Sequence, residues 1–122
     1  MSGETPTIVV VEDDFSMRQA IERILRVGGF AAVLFDSAEA ALAASVPATA
    51  DCLVLDIHLP GMSGIDLYRR LAPHGDVLPA VFITAHEEPA MRAVAESLGG
   101  YLAKPFSGRS LLAAVTQALG SN

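Results

Sequence analysis

The chain has 122 residues, enough for one domain that buries roughly two thirds of the surface its unfolded form exposes, and too few for a second. With 52% hydrophobic and 18% charged residues it has the composition of a packed fold, which excludes a disordered segment. A net charge of −6 offers no basic footprint for a phosphate backbone, so direct nucleic-acid binding is not expected and a cation or a protein is the expected partner.

The amino-terminal "MSGETPT" carries no basic cluster, and the first apolar run, Ile8 to Val11, is far shorter than a signal-peptide core or a bilayer span. The expectation is a cytoplasmic protein with no membrane partner, occupying residues 1–122 as a single domain with its core at about 7–119. "TIVVV" (Thr7 to Val11) is a continuous β-branched run, the pattern of a strand covered on both faces. "DFSMRQAIERILRV" follows, with Met17, Ile21, Ile24 and Leu25 at helical spacing and Gly28 and Gly29 as the stop. "AAVLF" is a second, weaker strand, and Ser37 is placed to cap a helix through "AEAALAAS", with Pro47 beyond its end. The single cysteine, Cys52, heads the third strand, "CLVLD", and reads as a buried bystander.

Ser63 caps a helix through "GIDLYRRLA", closed by Pro73; "AVFIT" is strand four, "PAMRAVAESLGG" helix four, "YLAK" strand five, and "SGRSLLAAVTQALG" the last helix. Leu111, Leu112, Val115 and Leu119 give that helix an apolar stripe that needs only a core to explain it. Five strand–helix repeats without a linker imply right-handed crossovers and an α/β fold, a doubly wound parallel five-stranded sheet with helices on both faces.

The residues ending the strands carry the chemistry. Strand one ends in Glu12, Asp13 and Asp14, strand three in Asp56, strand four in Thr84, and strand five in Lys104 before Pro105. In a parallel sheet these carboxyl ends share one edge. Two or three carboxylates within about 4 Å repel by on the order of 4 kcal/mol per pair at an effective dielectric near 20, so a proton or a cation must sit among them. Oxygen ligands without a His or Cys cluster suit a hard ion such as Mg²⁺, which is commonly held by one or two carboxylates, water and a phosphate. Lys104 then supplies a compact positive charge, Thr84 a hydroxyl, and Asp56 a carboxylate able to act as nucleophile toward phosphorus.

"VVVEDD", "VLDIHLPGMSG", "FITA" and "YLAKPF", in this order, resemble the receiver domain of two-component response regulators, over Thr7 to Leu119. The resemblance implies a flavodoxin-like sheet of order 2-1-3-4-5 and Asp56 as phosphoacceptor. It implies Glu12 and Asp13 as the acidic pair for Mg²⁺, Thr84 and Lys104 as phosphate partners, Tyr101 as the switch aromatic with Thr84, and a main-chain carbonyl at His58 completing the metal shell. The spacing back from Arg18 in similar receivers selects Glu12 and Asp13 and leaves Asp14 as an adjacent loop residue. His58 and His86, two positions after Asp56 and Thr84, border the path of the hydrolytic water in similar receivers, and their size and charge are expected to tune phosphoryl lifetime between roughly pH 6 and 8.

The resemblance further implies a sensor histidine kinase or phosphotransfer protein as donor and a downstream protein or output domain as reader. It implies a homodimer through the face made by helix four, strand five and helix five. The bare "GGY" between helix four and strand five is expected to shorten the connection there. The result is a phosphorylation-activated switch that catalyses its own phosphotransfer and slow autodephosphorylation, and not a turnover enzyme. The alternative is a receiver-like interaction module that works without phosphorylation. An aspartyl phosphatase would want an acid where His58 stands, and a flavin module would want a Ser/Thr/Gly loop where "EDD" repels phosphate.

Overall fold

In the computed structural model, which describes residues 5–44, 46, 50–72 and 78–120, strands and helices alternate. In chain order they are β1 (Thr7–Val11), α1 (Phe15–Val27), β2 (Ala31–Phe35), α2 (Ala38–Ala43), β3 (Cys52–Asp56), α3 (Gly64–Leu71), β4 (Ala80–Thr84), α4 (Pro89–Leu98), β5 (Gly100–Ala103) and α5 (Gly108–Gly120). The five strands form one sheet in the order β2-β1-β3-β4-β5, with every pairing parallel. This is the parallel sheet covered on both faces expected from the alternation, in the flavodoxin-like order that the resemblance implies. Pro47, Pro73, Ser45, Ser121 and Asn122, invoked above or next to such punctuation, lie outside the described residues.

The sheet is parallel because each strand returns through a helix, and the interiors of its central strands are apolar because both faces are covered, with Asp56 and Thr84 only at the carboxyl ends of β3 and β4. Along β1, Val9 and Val11 join Leu53, Leu55 and Phe82 in a core that Ala41, Leu67 and Ala95 of α2, α3 and α4 close. The alternate residues Ile8 and Val10 join Val54, Val81 and Ile83 in a second core, closed by Ile21 and Leu25 of α1 and Leu111 and Val115 of α5. The stripes read from α1 and α5 are therefore core, with Met17, Ile24, Leu112 and Leu119 half-buried at its margin. Cys52 has no exposed surface, and burial pushes its thiol up to about 12, consistent with a packing role.

Side-chain oxygens cap the helices where the sequence places Ser or Asp. Ser37 accepts from the Ala40 N–H at 3.1 Å, Ser63 from Asp66 at 3.0 Å and Ser107 from Ser110 at 3.0 Å. Asp14 lies in the β1–α1 loop, as expected, and from there also serves as the N-cap of α1, its Oδ2 accepting from the Met17 N–H at 3.2 Å. Gly29, at φ +92°, takes the left-handed turn that ends α1.

Two boundaries also depart from the expectation. α2 ends at Ala43, and β5 begins at Gly100 and ends at Ala103, so Lys104 stands one residue past the strand. The shift has a steric origin. Gly99 is the one residue between α4 and β5, and a Cβ there would meet the Ala80 carbonyl oxygen inside contact distance. Only a glycine lets the chain pass so close to β4, and Gly100 enters the ladder at once, opposite Val81.

Gly99→Ala should therefore destabilise the fold by about 1–3 kcal/mol through overpacking, while Gly100→Ala, whose Cβ would find ordinary contacts from 3.5 Å outward, should cost clearly less. Urea unfolding midpoints of the two variants decide this, and equal midpoints would count against the close-passage account.

Candidate functional site

The order β2-β1-β3 makes the carboxyl ends of β1 and β3 the point where the winding reverses, the crevice in which open α/β sheets place their chemistry. The ladders continue one bond past the strands. The Ile57 N–H donates to the Ile83 carbonyl at 2.9 Å and the Lys104 N–H to the Thr84 carbonyl at 2.8 Å, so the ends of β3, β4 and β5 stay in register where the polar residues begin.

Glu12, Asp13 and Asp56 converge there, each offering a carboxylate oxygen within 4.8 Å of the others. Glu12 is fully buried, Asp56 is 4% exposed, and Asp13 faces solvent. The Lys104 ammonium lies between the two buried acids, 2.8 Å from Glu12 Oε1 and 3.4 Å from Asp56 Oδ2. The remaining oxygens have backbone donors: the His58 N–H donates to Asp56 Oδ1 at 3.0 Å and the Asp14 N–H to Glu12 Oε2 at 3.1 Å. Asp56 is thus held by both oxygens at the rim of the sheet.

Burial pushes the Glu12 carboxyl up to about 7, against the pull of Lys104 and the Asp14 N–H, and the Asp56 charge adds to the rise. Burial by itself lowers an ammonium, but the Glu12 and Asp56 carboxylates outweigh it and hold Lys104 above the ordinary lysine range. One ammonium leaves the cluster short of positive charge. Glu12 Oε1 has the Lys104 ion pair but no hydrogen bond of good geometry. An all-oxygen set with two oxygens turned inward and one from the solvent side fits a hard divalent ion such as Mg²⁺.

Thr84 is buried at the end of β4, but its hydroxyl does not reach Asp56. It donates to the His86 carbonyl at 3.0 Å while the His86 N–H returns to it at 3.0 Å, closing the hydroxyl onto its own loop. His58 and His86 are brought together, their rings edge to face at 5.1 Å, and His58 Nε2 lies 4.0 Å from Glu88. Tyr101 sits opposite Phe82, two positions below Thr84 along the sheet. Its hydroxyl is buried without a hydrogen-bond partner, and burial, helped by Glu87, raises its phenol.

Two residues beyond the expected set shape the site. Arg18 served above only as a spacing marker, yet its guanidinium donates to the Glu12 carbonyl at 2.9 Å and approaches that of Asp13 at 3.5 Å, bracing the acidic turn from α1. A long basic side chain one turn into a helix that follows a run of acids was the available signal. Gly64 starts α3 directly against the Asp56 carbonyl, where any Cβ would displace the phosphoacceptor candidate's own backbone.

The chain matches the family model of the response regulator receiver domain over residues 8–116, and it belongs to that family. Receivers work in two-component signal transduction, where phosphorylation-driven switching is the general function, and they are signalling proteins rather than turnover enzymes. The chain is 41% identical over 113 residues to nodulation protein W of Bradyrhizobium diazoefficiens, covering 91% of this chain and 50% of that protein. It is 33% identical over 119 residues to the transcriptional regulatory protein FixJ of Azorhizobium caulinodans, covering 96% and 56%. The response regulator StyR superposes with a TM-score of 0.83 at 42% identity over 95% of this chain and 60% of that one. A CheY-like receiver from Methanospirillum hungatei shares the fold with a TM-score of 0.85 at 22% identity, covering 95% and 94%. The chain spans about half the length of the curated relatives it matches. Among the described residues no helix is long and apolar enough to cross a membrane.

The raised Glu12 carboxyl has a consequence for metal-free protein. The folded state keeps a proton that an ordinary carboxyl near 4.5 releases, so this contribution to stability is complete below about pH 4.5 and is lost as pH rises through about 7. Between those values the unfolding free energy in EDTA should fall by about 1–3 kcal/mol, and Glu12→Gln should flatten that slope. Urea titrations at several pH values read it directly; an unchanged slope in Glu12→Gln would assign the proton elsewhere.

Proposed function

We propose that this chain is a cytoplasmic, phosphorylation-activated switch, a single domain over 1–122 that takes its phosphoryl group on Asp56. The observation that supports it is the Asp56 carboxylate itself, fixed by the His58 N–H and faced by Lys104, beside Glu12 and Asp13. In the transfer, an Asp56 oxygen attacks the phosphorus of a phosphohistidine on a sensor histidine kinase or phosphotransfer protein. The O–P bond forms, the N–P bond breaks, and the imidazole leaves with the electron pair. Glu12, Asp13, Asp56 and the His58 carbonyl would hold Mg²⁺, which when bound offsets the charge of the phosphoryl oxygens. Lys104 pairs with the same oxygens from the other side, where positioning and electrostatics supply most of the catalysis.

Thr84 carries the response. Its hydroxyl leaves His86 and donates to the new dianion, and Tyr101 turns into the space vacated, biasing an existing equilibrium at the face of α4, β5 and α5. That face then meets a second copy, a downstream protein or an output domain; with a net charge of −6 the chain itself does not read nucleic acid. His58 and His86, in contact at the mouth of the site, restrict the approach of water and so set how long the phosphoryl group lasts. The same groups then act in slow autodephosphorylation.

Incubation with acetyl phosphate and Mg²⁺, followed by intact mass measurement, tests the assignment. The parent should gain one phosphoryl group, and Asp56→Asn, isosteric but a poor nucleophile, should gain none. Labelling of Asp56→Asn at another residue, or an unmodified parent, would overturn it.

Asp13→Ala should weaken Mg²⁺ binding at least about tenfold by removing a direct ligand. Asp14→Ala should instead leave Mg²⁺ binding near that of the parent and lower stability by about 1 kcal/mol through loss of the α1 cap. Isothermal titration with Mg²⁺ separates them, and the reverse order would place the acidic pair one residue later.

A further inference from the structure

The guanidinium of Arg92, on the exposed side of α4, lies over the Tyr101 ring with its carbon 5.0 Å from the centroid. It is held there from both sides. Its Nε donates to Glu96 Oε2 at 3.1 Å, one turn on along α4, and its Nη1 reaches Glu87 Oε1 at 3.5 Å in the loop that follows Thr84. The ring beneath has an unusual burden, a hydroxyl that is buried and makes no hydrogen bond. Keeping a phenol hydroxyl buried and unpaired is costly, so the observed position depends on what holds the ring there.

We propose that Arg92, clamped by Glu87 and Glu96, is a positioning residue that holds Tyr101 in its resting place and couples it to the Thr84 loop. The inference rests on the reading of Thr84 and Tyr101 as the switch. The guanidinium cation meets the negative face of the ring, and the two carboxylates hold it there. Glu87 is the connecting part. It lies three residues after Thr84, in the loop whose present shape includes the closed hydrogen-bond pair between Thr84 and His86. When the Thr84 hydroxyl leaves that pair for a phosphoryl oxygen, the loop carrying Glu87 rearranges, one side of the clamp opens, and Tyr101 is freed to turn. A group that stabilises the resting state more than the active one lowers the apparent affinity for any ligand that selects the active state.

The chain contains two tyrosines and no tryptophan, which makes Tyr101 directly observable. Protein labelled with 3-fluorotyrosine should give two fluorine resonances, and Tyr101→Phe identifies the one that is not Tyr68. Beryllofluoride with Mg²⁺, a phosphoryl mimic, should move the Tyr101 resonance in the parent; if it does not, the switch reading itself fails. In Arg92→Gln without beryllofluoride the Tyr101 resonance should already lie part of the way toward the bound position. The half-saturating beryllofluoride concentration should fall by about two- to fivefold, the range expected for one exposed cation–π contact.

Raising NaCl should shift the resting Tyr101 resonance of the parent in the same direction by screening the Glu87 and Glu96 pairs, and should shift that of Arg92→Gln less. Arg92→Lys, which keeps the charge but not the planar fork, should fall between the two, and Glu87→Gln should weaken the coupling while Arg92 remains. A role confined to helix stability would lower the unfolding midpoint without moving resonance or midpoint concentration. Both readouts unchanged in Arg92→Gln, in a parent whose Tyr101 does respond to beryllofluoride, would overturn the proposal and leave the switch reading intact.

Discussion

Everything at the working edge of this protein depends on one ammonium group shared between two buried carboxylates. Lys104 reaches across from just past β5 to Glu12 after β1 and Asp56 at the end of β3, and without it two acids would sit almost out of water with nothing between them. The pair interaction is strong because water is excluded, and it is incomplete because a third carboxylate, Asp13, joins the same cluster. The protein resolves the excess in part by raising the Glu12 carboxyl toward neutrality, a solution that burial imposes. A site arranged in this way is short of cation and well supplied with acceptor oxygens.

The rest of the structure keeps those groups within reach of one another. Parallel pairing brings the carboxyl ends of β1, β3, β4 and β5 to one side, and the two cores on opposite faces of the sheet keep the strands from sliding. Local devices then set single residues. Arg18 braces the carbonyls of the acidic turn, Asp14 starts α1 so that the turn cannot unwind, and Gly64 lets α3 begin in contact with the backbone of Asp56. None of these three residues offers a ligand to the acidic cluster, yet each fixes the backbone that carries it.

On the far side of the site the construction is looser. β5 is an edge strand of half-buried residues, α4 carries its ion pairs on an exposed surface, and the Thr84 hydroxyl is occupied by its own loop. Rigid acids on one side and a lightly held loop, helix and aromatic on the other suit a device whose chemistry must stay in place while its surface changes. The single-residue passage at Gly99 ties the end of α4 directly to β5, so displacement of either element is felt by the other.

Much of this was legible before any coordinates. The alternation of β-branched runs with helical stripes determined the α/β class, and the strand-ending motifs placed Glu12, Asp13, Asp56 and Lys104, which do meet, at one edge of the sheet. A parallel sheet leaves no other edge for them. Serines at helix starts were readable because capping is local chemistry. What only the tertiary structure decided concerns groups whose partners are distant in sequence or depend on a side chain's direction. These include the closing of Thr84 onto His86, the turn of His58 toward His86, the placing of Arg92 over Tyr101, and the bracing by Arg18. The boundary of β5 belongs with them, since it follows from how closely Gly99 passes the Ala80 carbonyl. Periodicity and motif order report on backbone repeats and strand ends, whereas rotamers and close approaches are settled by packing across elements, which no local pattern encodes.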